Sequence, residues 1–362
     1  MFSTKTISVI LFTSAVLSCN AWSQGMRRAE QKDQTIDEAQ RTTLIDTLKK
    51  SMSKKYVFPE VANKVNLMLS KHQKNGDYKN ILSANTFAET LTKQLQELTH
   101  DKHLSVRFES EPIPEVLEGQ LPTEVEQAKE KQEELSFMKS KNFGIEKIER
   151  LSGNVGYLDF RGFGNTEIVG NAIGAAMTLL NASDALIIDL RKNGGGSPST
   201  VALLASYFLP PETHLNDIYN REENSTTQMW SVPHLAGPRY DKSKKVYVLT
   251  SHFTFSAAED LSYTLQSLKR STTIGEITGG GAHPVDAQRL SQHFMAFVPF
   301  GRSINPITKT NWEGVGVIPE MKTSADEALK VAHKEALQQL LTLEKHPGKK
   351  RDVEMALENL KK

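Results

Sequence analysis

Four places along the chain carry groups suited to acyl chemistry: His103, a glycine turn at Gly194, Gly195 and Gly196, Ser256, and Glu313. A serine hydroxyl becomes a nucleophile when a base takes its proton, an acid orients that base, and N–H donors hold the oxyanion that forms. An imidazole, a carboxylate and a glycine turn are the parts such a device needs. Each also has a plainer reading. Ser256 with Glu259, three residues later in "TFSAAED", is a capping box for the helix that follows. His103 in "DKHLSV" fits a packed or surface ring as well as a general base, Glu313 in "NWEGVGVIP" fits an exposed loop carboxylate, and three glycines fit a tight turn.

Other chemistries fit less well. The glycine turn lacks a following Lys-Ser/Thr pair and GxGxxG spacing, so it is not a phosphate loop. None of the ten histidines stands in a close ligand spacing, so neither a metal nor another cofactor is expected. Lysine plus arginine (44) balances aspartate plus glutamate (43), leaving no global field that would favour nucleic acid or an anionic membrane. Cys19 is the only cysteine and lies in the leader described next. Thiolate catalysis and disulfides are therefore not expected in the mature chain.

Lys5 followed by the apolar stretch from Ile7 to Leu17, with Ala21-Trp22-Ser23 behind it, reads as a secretory signal over 1–23 with a mature start near Gln24. Lipid attachment at Cys19 is the rival, although Leu17 before Ser18-Cys19 fits a lipobox poorly. No later run reaches the ~18–20 apolar residues of a membrane helix, so a soluble protein outside the cytoplasm is expected.

The elements that must position these groups follow from periodicity. Residues 27–100 read as three amphipathic helices: one over Ile36 to Met52, one opening at Pro59, and one whose capping box is Thr86 with Glu89. Alternation of Leu104, Val106 and Phe108 starts a strand just after His103. Thr123 with Glu126 caps a charged surface helix. Strand, glycine-rich turn and helix then recur through "GNVGYLDF", 167–181, "DALIIDLR", "KVYVLT", the Ser256 helix, "TTIGE" and "HFMAFVPF". The expected organisation is an α/β domain over 101–323 and C-terminal helices within 324–362, at 325–344 and 352–361 around "HPGKK".

"DKHLSV", "LIIDLRKNGGG", "TFSAAED", "GEITGGGAHP" and "WEGVGVIPE", in that order, resemble the C-terminal-processing serine protease family of the tail-specific proteases and the tricorn core. With "YVFPE" and the helices before "KHL", the branch containing the modules of interphotoreceptor retinoid-binding protein is the nearer likeness, over about 36–340. The resemblance implies a crotonase/Clp-protease-like spiral of β-β-α units behind an N-terminal three-helix domain. It implies Ser256 as nucleophile, His103 as general base, Glu313 as its orienting acid, and the N–H groups of Gly195 and Ala257 as oxyanion hole, with the donating glycine open by one position. Gly281 stands where the tail-specific branch has its dyad lysine, and the stretch from Val106 to Gly156 is short for an inserted PDZ module. The implied activity is hydrolysis of peptide or protein substrates by a serine-type peptidase. The retinoid-binding modules supply the alternative, a non-catalytic carrier of retinoid or fatty-acid-like ligands on the same fold.

Overall fold

The structure, a computed structural model, describes residues 32–115 and 123–360. The expected signal segment, Cys19 included, lies outside them. Three helices open the described chain: α1 (Glu38–Lys55), α2 (Pro59–Asn75) and α3 (Ala84–Thr99). Asp37 and Gln40 form a capping box on α1, and Pro59 starts α2 at a position whose N–H needs no partner. The start of α3 corrects the sequence reading. Ser83, not Thr86, is the N-cap, and its hydroxyl accepts the Thr86 N–H at 3.0 Å.

The chain continues as β1 (Ser105–Phe108), α4 (Glu124–Ser140), β2 (Ile145–Leu151), β3 (Val155–Phe160), α5 (Thr166–Leu180), β4 (Ala185–Asp189) and α6 (Pro198–Ser206). The expected Thr123–Glu126 capping box is present on α4. Next come β5 (His214–Asn220), β6 (Ser225–Trp230), β7 (Lys245–Thr250), α7 (Ala257–Ser267), β8 (Thr272–Gly275), β9 (Val285–Arg289), β10 (Phe294–Pro299), β11 (Gly301–Ile304) and β12 (Met321–Lys322). Two helices, α8 (Ala328–Leu343) and α9 (Pro347–Asn359), end it. The second begins at Pro347, so "PGKK" is its first turn and not a connection, as proline at N1 allows.

The fold is mixed α/β. A six-stranded sheet in the order β12-β8-β7-β4-β3-β2 is parallel except for the β2–β3 pair. Both faces are covered, as a parallel sheet requires. On one face α5, α6 and α7 bury Ile173, Met177, Leu204 and Leu261, and on the other α8 and α9 bury Ala332, Leu337 and Ala356. A smaller antiparallel sheet, β1-β10-β9, shares a core with the N-terminal helices: Leu48, Leu91 and Leu95 pack with Val106, Phe108 and Ala296. The third sheet, β11-β5-β6, was not visible in the sequence pattern. Among the described residues no helix is long and apolar enough to cross a membrane.

Candidate active site

The loops that leave the carboxyl ends of β3, β4, β7 and β8 converge, the usual location of a site on a parallel sheet. Ser256 sits where β7 hands over to α7, as the N-cap, with φ 54° and ψ −120°. A serine at positive φ costs about 1–3 kcal/mol and is retained only where surrounding contacts fix it. Three contacts fix it here. The Ser256 N–H donates to Glu259 Oε2 at 2.8 Å, and Phe255 N–H donates to the Asn193 carbonyl at 3.1 Å. The Thr254 hydroxyl donates to the Leu190 carbonyl at 2.8 Å. The serine turn is thereby stitched to the glycine turn beyond β4.

Glu259 is more than a cap. It is fully buried and accepts from the Ser256, Gly280 (2.7 Å) and Gly281 (2.9 Å) N–H groups and from the Thr278 hydroxyl. Burial raises its pKa to about 7 against these four bonds, each of which favours the carboxylate. One buried side chain therefore joins the start of α7 to the loop after β8.

Gly195 has φ +106°, and a Cβ there would lie 2.8 Å from Ser256 Cβ and 3.0 Å from the Ala257 nitrogen. Only glycine lets the turn come this close. Ala257 is the first residue of α7, so its N–H has no intrahelical acceptor. The Gly195 N–H is donated to Asn193 Oδ1 at 2.9 Å. That donor is thus engaged within its own turn, and the sequence, which carries no peptide-plane orientation, could not have shown it.

His103 is buried, with its ring against Phe255, the residue before the serine, at a centroid distance of 4.6 Å. Its Nδ1 is buried with no hydrogen-bond partner, and among the described residues no hydrogen bond joins the ring to Ser256. Burial pushes the imidazole down to about 4, Asp101 opposes this, and the charge of His283 adds to it. Glu313 follows Trp312, whose indole N–H donates to the Gly281 carbonyl at 2.7 Å and holds the turn. One carboxylate oxygen of Glu313 accepts the Ala282 N–H at 2.5 Å, and the other, Oε1, is buried without a partner. Burial, then the charge of Asp101, raises this carboxyl well above the usual range.

The structure thus gathers Asp101, His103 and Glu313, whose ligand-type atoms lie within 4.8 Å of one another. That spacing suits a shared proton network and is also one that a divalent cation can bridge, a proximity invisible to a reading of sequence spacing. Asp101 and, beside the cluster, His283 were given no catalytic role by the sequence reading. Asp101 Oδ1 accepts the His103 backbone N–H at 3.1 Å, and Asp101 Oδ2 meets His283 Nδ1 at 2.7 Å. Both lie inside the motifs "DKHLSV" and "GEITGGGAHP", but only folding shows that they meet.

Comparison with known proteins agrees with this architecture. Mature CPAF superposes with a TM-score of 0.57 at 11% identity, covering 89% of this chain and 99% of that one. A candidate peptidase from Parabacteroides merdae gives 0.54 at 20% identity, with 82% and 96% covered. A lipoprotein from Streptococcus agalactiae gives 0.51 at 12% identity, with 83% and 96% covered. These likenesses show the fold. The model of the N-terminal domain of peptidase S41 in eukaryotic IRBP matches residues 35–146, and that of peptidase family S41 matches residues 154–323. With both family models matched in order along most of its length, the chain belongs to peptidase family S41.

Proposed function

We propose that the protein is a serine peptidase working through Ser256, His103 and Glu313, with peptides or proteins as substrates. The observation that carries this reading is the strained serine at the β7–α7 turn, next to a glycine turn and beside a largely buried histidine–carboxylate cluster. His103 takes the hydroxyl proton as Ser256 Oγ attacks the peptide carbonyl. The oxyanion is held by the Ala257 N–H and by the glycine turn, Gly195 donating once its bond to Asn193 is exchanged for the substrate oxygen. The amine leaves with the proton from His103, and water releases the acyl group by the same steps. His103 Nδ1 and Glu313 Oε1, both lacking partners, are suited to pair when substrate tightens the site, since catalytic hydrogen bonds are often long before binding. The leader-like residues at the start of the sequence support action in the periplasm or outside the cell.

The match to the N-terminal domain of eukaryotic IRBP favours a carrier as second reading. A carrier has no use for several ionisable groups buried beside a strained serine, which are costly to maintain. Ser256→Ala separates the two. The expected result is loss of peptide hydrolysis and of fluorophosphonate labelling with an unchanged circular dichroism spectrum. Hydrolysis at the wild-type rate in this variant would remove Ser256 from the mechanism.

A further inference from the structure

His283, on the loop between β8 and β9, is buried beside two carboxylates: its Nδ1 lies 2.7 Å from Asp101 Oδ2 and 3.5 Å from Glu313 Oε2. Asp101 is itself buried, with its other oxygen on the His103 backbone N–H. One ring nitrogen therefore faces both the acid that fixes the His103 loop and the acid whose free oxygen, Oε1, is available to the His103 ring. Two carboxylates this close and this dry cannot both stay ionised without a positive charge between them.

We propose that His283 is a positioning residue, held as an imidazolium between Asp101 and Glu313, that keeps Glu313 ionised and aligned on His103. The inference rests on the serine-peptidase reading for its consequence, though not for its geometry. The groups that face His283 are consistent with a cation. The Tyr56 hydroxyl lies 3.4 Å from Asp101 Oδ2, the Phe58 ring meets the imidazole edge-on at 5.5 Å, and Glu259 adds negative charge at Glu313. The charge of Arg302 opposes it. Burial works against charging His283, but the hydrogen bond and charge of Asp101 and the charge of Glu313 outweigh it and raise its pKa. The two histidines are thus set apart by their surroundings: His103 neutral and able to accept a proton, His283 charged and unable to.

The test combines two measurements on the full chain. Nitrogen-15 NMR of histidine-labelled protein is expected to show His283 protonated and His103 neutral at pH 7. His283→Asn retains an N–H donor but no charge, so Glu313 becomes harder to ionise and the acid limb of kcat/KM moves to higher pH. For His283→Asn, kcat at pH 7 is expected to fall by roughly 10- to 100-fold with KM within about twofold, recovering as pH rises. A neutral His283 at pH 7 overturns the proposal, as does an unshifted acid limb in a folded variant. If the variant does not fold, the wild-type spectrum decides. If the wild-type protein hydrolyses no peptide, the serine-peptidase reading fails while the spectrum still reports whether His283 carries the charge.

Discussion

The unpaired atoms of His103 and Glu313 are the clearest chemical signal at the scale of single residues. A buried polar atom without a partner costs about 1–3 kcal/mol, and here two such atoms of complementary kind lie in one cluster. Paired, they would hold the imidazole with Nε2 free to accept the serine proton, and the carboxylate would lift His103 from its depressed pKa towards that of a useful base. Glu313→Gln keeps the shape and removes the charge. It is expected to lower kcat by roughly 100- to 10,000-fold with little change in KM, measured on any peptide the wild type cleaves. Because burial pushes His103 down to about 4 and Glu313 up, the acid limb of the wild-type profile should report the carboxylate cluster. Activity should rise with pH as Glu313 loses its proton. Gly281 bears on the same point: a Cβ there would lie 2.6 Å from His103 Cε1. A side chain at 281 would press on both the Phe255 ring and the imidazole, so glycine is what lets the two rings pack here.

The types and order of His103, Ser256 and Glu313 were legible in the sequence because each sits in a short motif with its own turn chemistry. Asp101 and His283 were visible as residues but not as partners. Their meeting depends on a loop after α3 being laid against one after β8, which no local pattern encodes.

At the scale of elements, the start of α7 does two jobs. The sequence offered a cap or a nucleophile for Ser256, and Glu259 shows that a cap and a site can share atoms. Glu259→Gln would turn an amide N–H towards at least one of four donors. The expected cost is about 1–3 kcal/mol of stability, read as a lower denaturation midpoint, with loss of activity because the loop carrying Gly281 loosens. Gly195→Ala places a methyl group against Ser256 at a φ that suits only glycine. It should reduce kcat by about 100-fold or more, comparable to losing an oxyanion donor, and wild-type kcat in this variant would show that the turn lies outside the catalytic site. Helices were readable from their period and the central strands from their continuous apolar runs, Ile187 and Val248 being typical of strands buried on both faces. Strands β5 and β6, "HLNDIYN" and "STTQMW", were missed because their burial is partial and their polar residues give no alternation. The start of α3 was misplaced because "SANT" offers two hydroxyl caps, and tertiary packing of Ala84 selects the earlier one.

At the scale of the whole molecule, the proposed triad is assembled from separate parts of the chain. His103 arrives on the segment that links the N-terminal helices to β1, Ser256 stands on the central sheet, and Glu313 comes from the loop after β11. The N-terminal helices therefore set the place of His103 through packing. Leu95 is fully buried in the core they share with Val106 and Phe108. Leu95→Ala is expected to cost about 2–5 kcal/mol and to lower kcat as well, since it loosens the segment that carries His103. A crystal structure of the protein reacted with a fluorophosphonate would show whether these three parts converge on one reacting centre. The expected result is phosphorus bonded to Ser256 Oγ, its oxygen within hydrogen-bonding distance of the Ala257 N–H and the glycine turn, and His103 bridging Ser256 and Glu313. An adduct on another residue, or His103 still packed against Phe255 and bonded to neither Ser256 nor Glu313, would rule out the proposed triad.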